Sequence, residues 1–493
     1  MLLRHVASFI TVSAALGGCF HARPSDGGGE VKIAAGSAGI GGVRVPAGYT
    51  IELITKGLTY PTGVAFDDDG RPHIVEGGYS YGESFLTPRL LRVQADGSVE
   101  EVARGDRHAW NGVSFADGAF YVAEGGIKTA GRVLRIDPKS GETRVLVDGL
   151  PSMGDHHVNG PVVRDGFVYF GVGTATNSAV VGPDNFDFGW LPRAPDFHDI
   201  PCRDITLAGE NFTSKNPLTK DANDEATTGA YLPFGTPSTG GQVIKGALPC
   251  TGAVLRVSTN GGAAELVAWG FRNPFGLAFA ENGKLFVTDN GYDQRGSRPV
   301  YGNGDWLWEI EKGAWYGWPD YADGNLIADS RYGTLGSKAP TRVLATDPSK
   351  PPQPRARFAV HSSSNGFDFS RSEAFGHVGD AFVAQFGDQA PIVGKVLAPV
   401  GFQVVRVDPQ GIVRSFAANQ GPQNGPASML KIEGLERPIA VRFNPTGDAL
   451  YIVDFGVLLM DETGSKPQPR TGALWRVARE KASRFEASAG GTR

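Results

Sequence analysis

The chain has 493 residues, of which 69 are Gly and 33 are Pro, a composition that suits many tight turns and excludes long helices as the main element. Its net charge of −5, with no Lys/Arg cluster, excludes a phosphate-tracking surface, so nucleic acid is not an expected partner. Length alone allows about three domains of ordinary size, but one repeated pattern binds most of the chain into a single unit.

At the N-terminus Arg4 precedes an apolar run, Val6 to Leu16, too short to span a bilayer as a permanent helix. The run ends in Leu16-Gly17-Gly18-Cys19, which resembles a bacterial lipoprotein signal: small residues let a peptidase cut before a cysteine that then carries lipid. Residues 1–18 are read as that signal peptide and Cys19 as the lipidation site; an ordinary secretory signal with an incidental cysteine is the alternative. Phe20, where an Asp would retain the protein in the inner membrane, implies by the same resemblance an outer-membrane anchor facing the periplasm of the cell envelope. Residues 19–45 then form the lipid anchor and a Gly-, Ser- and Ala-rich tether.

From residue 46 a pattern recurs six times. Gly63-Val-Ala-Phe, Gly112-Val-Ser-Phe, Gly160-Pro-Val-Val, Gly276-Leu-Ala-Phe, Gly366-Phe-Asp-Phe and Ala440-Val-Arg-Phe each open an alternating apolar run. A second run follows each and ends near a glycine: Gly77, Gly125, Gly173, Gly291, Gly387 and Gly456. Alternation bounded by Gly, Asp and Asn reads as short antiparallel strands. A unit of roughly fifty residues cannot bury its own face and must stack on its neighbours. Four-stranded units set radially close into an all-β, six-bladed β-propeller over residues 46–480, leaving 481–493 as a disordered tail.

Third-strand candidates start at Arg89, Arg132, Ala253, Asp305, Phe402 and Gly472. The segments before them, 77–88, 126–131, 174–252, 291–304, 388–401 and 457–471, are mostly long, whereas the first turn of each unit is minimal. One face is thus elaborated, and long loops on a rigid scaffold usually carry the site. With Cys19 lipidated, Cys202 and Cys250 remain, both in segment 174–252. In an oxidising compartment they most simply form a disulfide, a buried unpaired couple being the alternative. Counting back three and four residues from each opening aims Tyr60 and Thr59, Ala109 and His108, His157 and His156, Asn273 and Arg272, Ser363 and Ser362, and Arg437 and Glu436 at one channel mouth.

Trp269-Gly-Phe-Arg-Asn-Pro-Phe-Gly-Leu-Ala-Phe279, Gly283-Lys-Leu-Phe-Val-Thr-Asp-Asn-Gly291 and Trp315-Tyr-Gly-Trp-Pro319 resemble the fourth blade of the soluble quinoprotein glucose/sorbosone dehydrogenase family. That resemblance implies pyrroloquinoline quinone (PQQ) and Ca²⁺ as cofactors and a small-molecule sugar or related alcohol as substrate. It also implies an electron acceptor that the sequence does not name. His157, in His157-Val-Asn-Gly160, matches the general base; Arg272 and Asn273 match the pair beside the quinone carbonyl, with Asn290 also on the cofactor. Gly291 and Tyr292 fall where backbone carbonyls hold calcium, and Arg437 matches a cation for a cofactor carboxylate. The chemistry suits these types: a histidine takes the hydroxyl proton while the cofactor takes hydride. His156 is the rival base.

The chain departs from the family pattern where Thr174 replaces an aspartate beside the base, Gly387 and Asp388 stand where a lysine is expected, and Ile439 replaces an arginine. Lys395 is a possible substitute for that lysine, and Trp306 weakens a second, structural calcium site. Two other readings stay open. A calcium-dependent lactone hydrolase would gather Glu76, Glu124, Asp289 and Asp454 around a channel metal, and a non-catalytic glycan- or protein-binding propeller would stack sugars on Trp190, Trp306 and Trp308.

Overall fold

Each of the six opening segments forms the inner strand of a sheet: Gly63–Phe66, Trp110–Ala116, Val158–Arg164, Pro274–Phe279, Ser364–Phe369 and Pro438–Phe443. The computed structural model describes residues 42–78, 86–333, 338–462 and 464–480; the segment expected to be a signal peptide, Cys19 and the expected tail 481–493 lie outside them. Six antiparallel sheets, five of four strands and one of five, are the blades of a six-bladed propeller. The expected third strands are all present, as Arg89–Val93, Thr129–Ile136, Ala253–Ser258, Trp306–Glu309, Gln403–Val407 and Gly472–Arg479. Among the described residues helix is confined to short turns, Pro183–Asp187 and Ala427–Leu430 the α-helical ones, and none is long and apolar enough to cross a membrane.

Burial explains the patterning. Second strands such as Leu285–Asp289 and Ala381–Gln385 are buried at every position, because blades cover both of their faces. Outer strands such as Val99–Arg104 are largely exposed. The outer strand of blade six comes from the other end of the chain: Tyr49–Leu58 pairs antiparallel with Gly472–Arg479 and closes the ring. Just before it, Val43–Arg44 adds a fifth strand to blade five, so these residues of the expected tether already belong to the propeller.

The inner strands converge so closely that glycine stands at five of the six places where they cross. A Cβ on Gly112, whose φ is +105°, would lie 1.8 Å from the carbonyl oxygen of Gly160. One on Gly366 would lie 2.8 Å from the Cα of Ala440. The repeated small residue is therefore a property of the axis, which is lined by Gly63, Gly112, Gly160, Gly276, Gly366 and Ala440.

The connections differ in size. Segment 126–131 was expected as a loop, but Gly126 pairs with Thr129 in a tight hairpin. Segment 174–252 carries the short helix Pro183–Asp187 and two small ladders, Ile205–Thr206 with Val243–Ile244 and Asn211–Lys215 with Glu225–Gly229. The Cys202–Cys250 disulfide, expected from the sequence, bridges two points of this segment 48 residues apart. Beside it the buried Asp199 carboxylate accepts from Ala175 N at 2.7 Å, Thr176 Oγ1 at 2.6 Å and Thr251 Oγ1 at 3.0 Å. Burial pushes this carboxyl up to about 7 against those hydrogen bonds.

Chain entropy puts the contribution of this closed loop at about 4 kcal/mol at most. Replacing both cysteines with serine should therefore expose segment 174–252 to limited proteolysis while most of the propeller ladder keeps its hydrogen-exchange protection. Equal loss of protection in all six blades would refute a local role for the bridge.

Candidate functional site

The channel opens, on the elaborated face, into a cavity with about 1090 Å³ of empty space, its mouth included. Pockets for small ligands span roughly 300–1,000 Å³. The residue just before each strand opening, one from every blade, lines it: Thr62, Asn111, Asn159, Phe275, Asn365 and Ile439. Sequence reasoning aimed two positions too early for this ring. Of the residues it named, His156, His157, Arg272, Asn273 and Ser363 line the cavity, joined by Asn290, Gly291, Tyr292 and Gly387.

The remaining expected residues sit elsewhere. Tyr60 donates from its hydroxyl to Pro467 O at 3.1 Å, outside the lining. Arg437 is buried behind the wall, where Nη1 donates to the carbonyls of Phe386, Gly387 and Asp388 at 3.3, 3.4 and 3.0 Å. Its guanidinium lies between the Phe386 and Phe402 rings, 5.0 and 4.9 Å from their centroids. Lys395 is exposed, two residues beyond the lining residue Val393.

His157 and His156 share a tautomer for the same reason. Nδ1 of His157 lies 2.9 Å from Ser152 O, and Nδ1 of His156 lies 2.9 Å from Thr174 O; a carbonyl only accepts, so each Nδ1 carries the proton. Nε2 is left as the basic nitrogen in both rings. Their electrostatics differ. Burial lowers His157 to about 4, with the nearby Asp155 charge acting to raise it. Burial lowers His156 well below the usual histidine range, and Arg272 and Arg295 lower it further. His157 is the better base of the two.

Asp155 was not anticipated; it supplies a carboxylate near the base, a role that sequence reasoning looked for at Thr174. It also accepts from Trp190 Nε1 at 2.7 Å and Asn185 Nδ2 at 2.9 Å, and pairs with Arg295 at 2.7 Å. Arg295 reaches on to Asp184 at 2.6 Å and Asp293 at 2.9 Å, and Asp293 in turn pairs with Arg272. Burial pushes the Asp293 carboxyl up, but the two guanidinium groups more than offset this and leave it below its ordinary value. Arg272 is fixed further by Asn177, whose side-chain and backbone oxygens accept from Nε at 3.2 and 3.3 Å. Asn273 Nδ2 donates to Asn290 Oδ1 at 2.8 Å, and its own Oδ1 accepts from Asn159 at 3.0 Å. His361, also missed, lines the cavity just ahead of the inner strand Ser364–Phe369, with burial lowering its pKa. No periodic signal marks Asp155, Asp293, Arg295 or His361, which precede or follow strands on irregular backbone.

Two alternative constellations do not assemble. Glu76 accepts from Thr59 N and Arg89, Glu124 from Trp110 Nε1 and Arg132, Asp289 from the backbone of Arg272 and Asn273, and Asp454 from that of Glu436 and Arg437. Each carboxylate ties the end of its second strand to the entry of its own inner strand, so the four do not converge on a channel metal. Trp190, Trp306 and Trp308 are buried, which removes them as sugar-stacking surfaces.

Residues 248–390 match the Glucose / Sorbosone dehydrogenase family, bearing out the resemblance read from the fourth blade. No curated protein matches the sequence. The holo form of the pyranose dehydrogenase PQQ domain from Coprinopsis cinerea superposes with a TM-score of 0.52 at 14% identity, covering 91% of this chain and 100% of that one. A calcium structure of a family AA12 carbohydrate-active enzyme from Trichoderma reesei gives 0.51 at 15% identity, with 91% and 100% covered. A glucose dehydrogenase gives 0.51 at 16%, with 88% and 100% covered. At these identities the likeness is one of fold.

Proposed function

We propose that this propeller is a sugar dehydrogenase that oxidises a carbon-bound hydroxyl of an aldose or related alcohol, with PQQ and Ca²⁺ as cofactors. The observation that supports it most is that His157 and the Arg272–Asn273–Asn290 group, drawn from two blades, line one cavity.

The donor set suits the reactive edge of such a cofactor. Arg272 is a rigidly held cation, the carbonyls of Gly291 and Tyr292 are hard oxygen ligands for calcium, and the buried Asn365 Oδ1 has no hydrogen-bond partner among the described residues. The carboxylate end is served less well. Gly387 and Ile439 line the wall without charge, and the lining cations Arg272 and Arg295 are already matched by Asp155, Asp184 and Asp293. Bound there, the quinone would accept hydride, with calcium polarising its carbonyl.

This chain's own residues do the rest. His157 holds an unprotonated Nε2 and takes the substrate's hydroxyl proton; Ser152 O keeps the ring oriented. Arg272, locked by Asp293 and Asn177, stabilises negative charge as it grows beside it. Arg437 holds the carbonyls of residues 386–388 in place and so shapes the fifth-blade wall around Gly387. Beyond the described residues, we read Cys19 as lipid-bearing and the protein as tethered to the bacterial envelope.

His157→Ala should lower turnover about a hundredfold or more while leaving cofactor affinity nearly unchanged. Loss of activity on acidification should follow the lowered histidine: the base is neutral above about 4 and protonated below it, so kcat should persist through pH 6 and fall near pH 4. A limb at pH 6.5, or loss of turnover in His156→Ala with His157→Ala spared, would move the base elsewhere. Because cations for the cofactor carboxylates are few, calcium should carry an unusual share of quinone binding: EDTA should release the bound quinone absorption band, and Ca²⁺ should restore it. If no quinone binds with calcium present, and no aldose reduces a dye, the dehydrogenase reading falls. Detergent-phase partitioning of the exported protein should be lost in Cys19→Ala; unchanged partitioning would refute lipidation.

A further inference from the structure

The chain enters the propeller on the face that carries the cavity. Val43–Arg44 pairs antiparallel with the fourth strand of blade five, Val413–Asn419, with Val43 opposite Asn419 and Arg44 opposite Ala418. Beyond Asn419, segment 420–437 leads to the entry of the inner strand of blade six, where the cavity opens. Antiparallel pairing places the residues before Val43 beyond that same end. Gly42 O accepts from Gln420 N at 2.8 Å, and a Cβ on Gly42 would lie 3.2 Å from Glu433 O. Segment 420–437 is itself held firmly. Buried Asn419 accepts from Leu435 N at 2.9 Å and donates to Leu435 O at 2.7 Å and Gly425 O at 3.0 Å. Glu436 accepts from Ser428 N and Ser428 Oγ, each at 2.8 Å.

Whatever holds the N-terminus is therefore attached at this rim. Residues 20–41 separate Cys19 from Gly42. A Gly-, Ser- and Ala-rich tether of that length spans about 25 Å as a coil, against about 55 Å for the width of a propeller of this size. A lipid on Cys19 thus brings the rim of blades five and six to the bilayer, since presenting the plain face would stretch the tether to about twice its coil span. The rim is apolar where it protrudes. Leu397, 80% exposed, lies in segment 388–401, and Met429, 44% exposed, on the short helix Ala427–Leu430. Leu459, 53% exposed, lies on the hairpin of Leu458–Asp461 with Gly464–Pro467. Arg437 ties the first two segments together through Asp388 O, and Tyr60 holds the hairpin through Pro467 O. Aliphatic side chains exposed on neighbouring loop tips suit contact with lipid better than contact with water.

We propose that the rim of blades five and six docks on the lipid bilayer that carries the Cys19 anchor, which rests on the lipoprotein reading above. Blades two and three lie across the ring from it, so the docked propeller tilts and its mouth opens sideways along the bilayer surface. Substrate reaches the cavity from the blade-three side while blades five and six stay against lipid.

Single cysteines in place of Leu397, Val243 and Val378, each labelled with bimane in the exported full-length protein, test this on vesicles of brominated phosphatidylethanolamine and phosphatidylglycerol. Cys202 and Cys250 are paired and an acylated Cys19 has no free thiol, so only the new cysteine reacts. The label in Leu397→Cys should lose about half its emission or more, as befits a side chain about 5–10 Å into the interface. Labels in Val243→Cys, exposed on the blade-three segment, and in Val378→Cys, exposed on the plain face, should keep theirs. A label in Leu459→Cys should also be quenched, and adding Leu397→Asp and Met429→Asp should remove that quenching with the protein still on the vesicles. Vesicle-bound protein with no quenching in Leu397→Cys, or with equal quenching at all three sites, overturns the docking and leaves the anchor reading intact. Protein that stays free of vesicles with Cys19 unmodified rejects the anchor reading and the docking together.

Discussion

Six inner strands meeting at one axis leave no room for side chains where they cross, and that steric limit organises the molecule. Glycine at five crossings and Ala440 at the sixth let the strands approach to backbone contact: a Cβ on Gly112 would lie only 1.8 Å from the Gly160 carbonyl oxygen. Just before each of these residues the strands have begun to splay, and larger side chains fit again. The ring of Thr62, Asn111, Asn159, Phe275, Asn365 and Ile439 occupies that first level. The histidines and the Arg272–Asn273 pair sit above it. The cavity is thus a geometric by-product of closing the ring, and its chemistry is whatever the sequence places in the levels above the crossing.

A second constraint holds that rim still. In four blades an acidic residue at the end of the second strand accepts hydrogen bonds from the entry to the inner strand: Glu76, Glu124, Asp289 and Asp454. Burial pushes Asp289 up to about 7, a sign of how dry this position is. Above it the chain of Arg272, Asp293, Arg295 and Asp155 is likewise buried and mutually compensated. Such a network is stable only as a set, because removing one member strands another in low dielectric. Preorganisation of this kind is what electrostatic stabilisation of a reacting group requires.

Regular periodicity made the architecture legible in the sequence. Two-residue alternation located all six inner strands and all six third strands, and two short motifs, His157-Val-Asn-Gly160 and Trp269 to Phe279, pointed to His157, Arg272 and Asn273. Cavity depth was harder to read, since counting back from a strand assumes extended backbone. Real entries carry residues such as Tyr60, His361 and Ser363 at positive φ, which shifts the register by one or two positions. Asp155, Asp293 and Arg295 lie on irregular segments whose positions are set by long-range pairing, and no local pattern reports that. The tryptophans misled for a related reason: a large aromatic on a loop reads as exposed, whereas Trp190 donates to Asp155 beneath the surface.

The closing strand has a consequence for the order of assembly. Tyr49 and Arg479, partners in the last ladder, are 430 residues apart. At about 5–20 residues per second, a ribosome makes the second about 20–90 s after the first. For that interval Tyr49–Leu58, an alternating strand with Ile51 and Leu58 to bury, has no partner in blade six. A strand made among the first of the propeller is therefore the last to be satisfied, and a nascent chain must carry an unpaired β-edge through most of its synthesis.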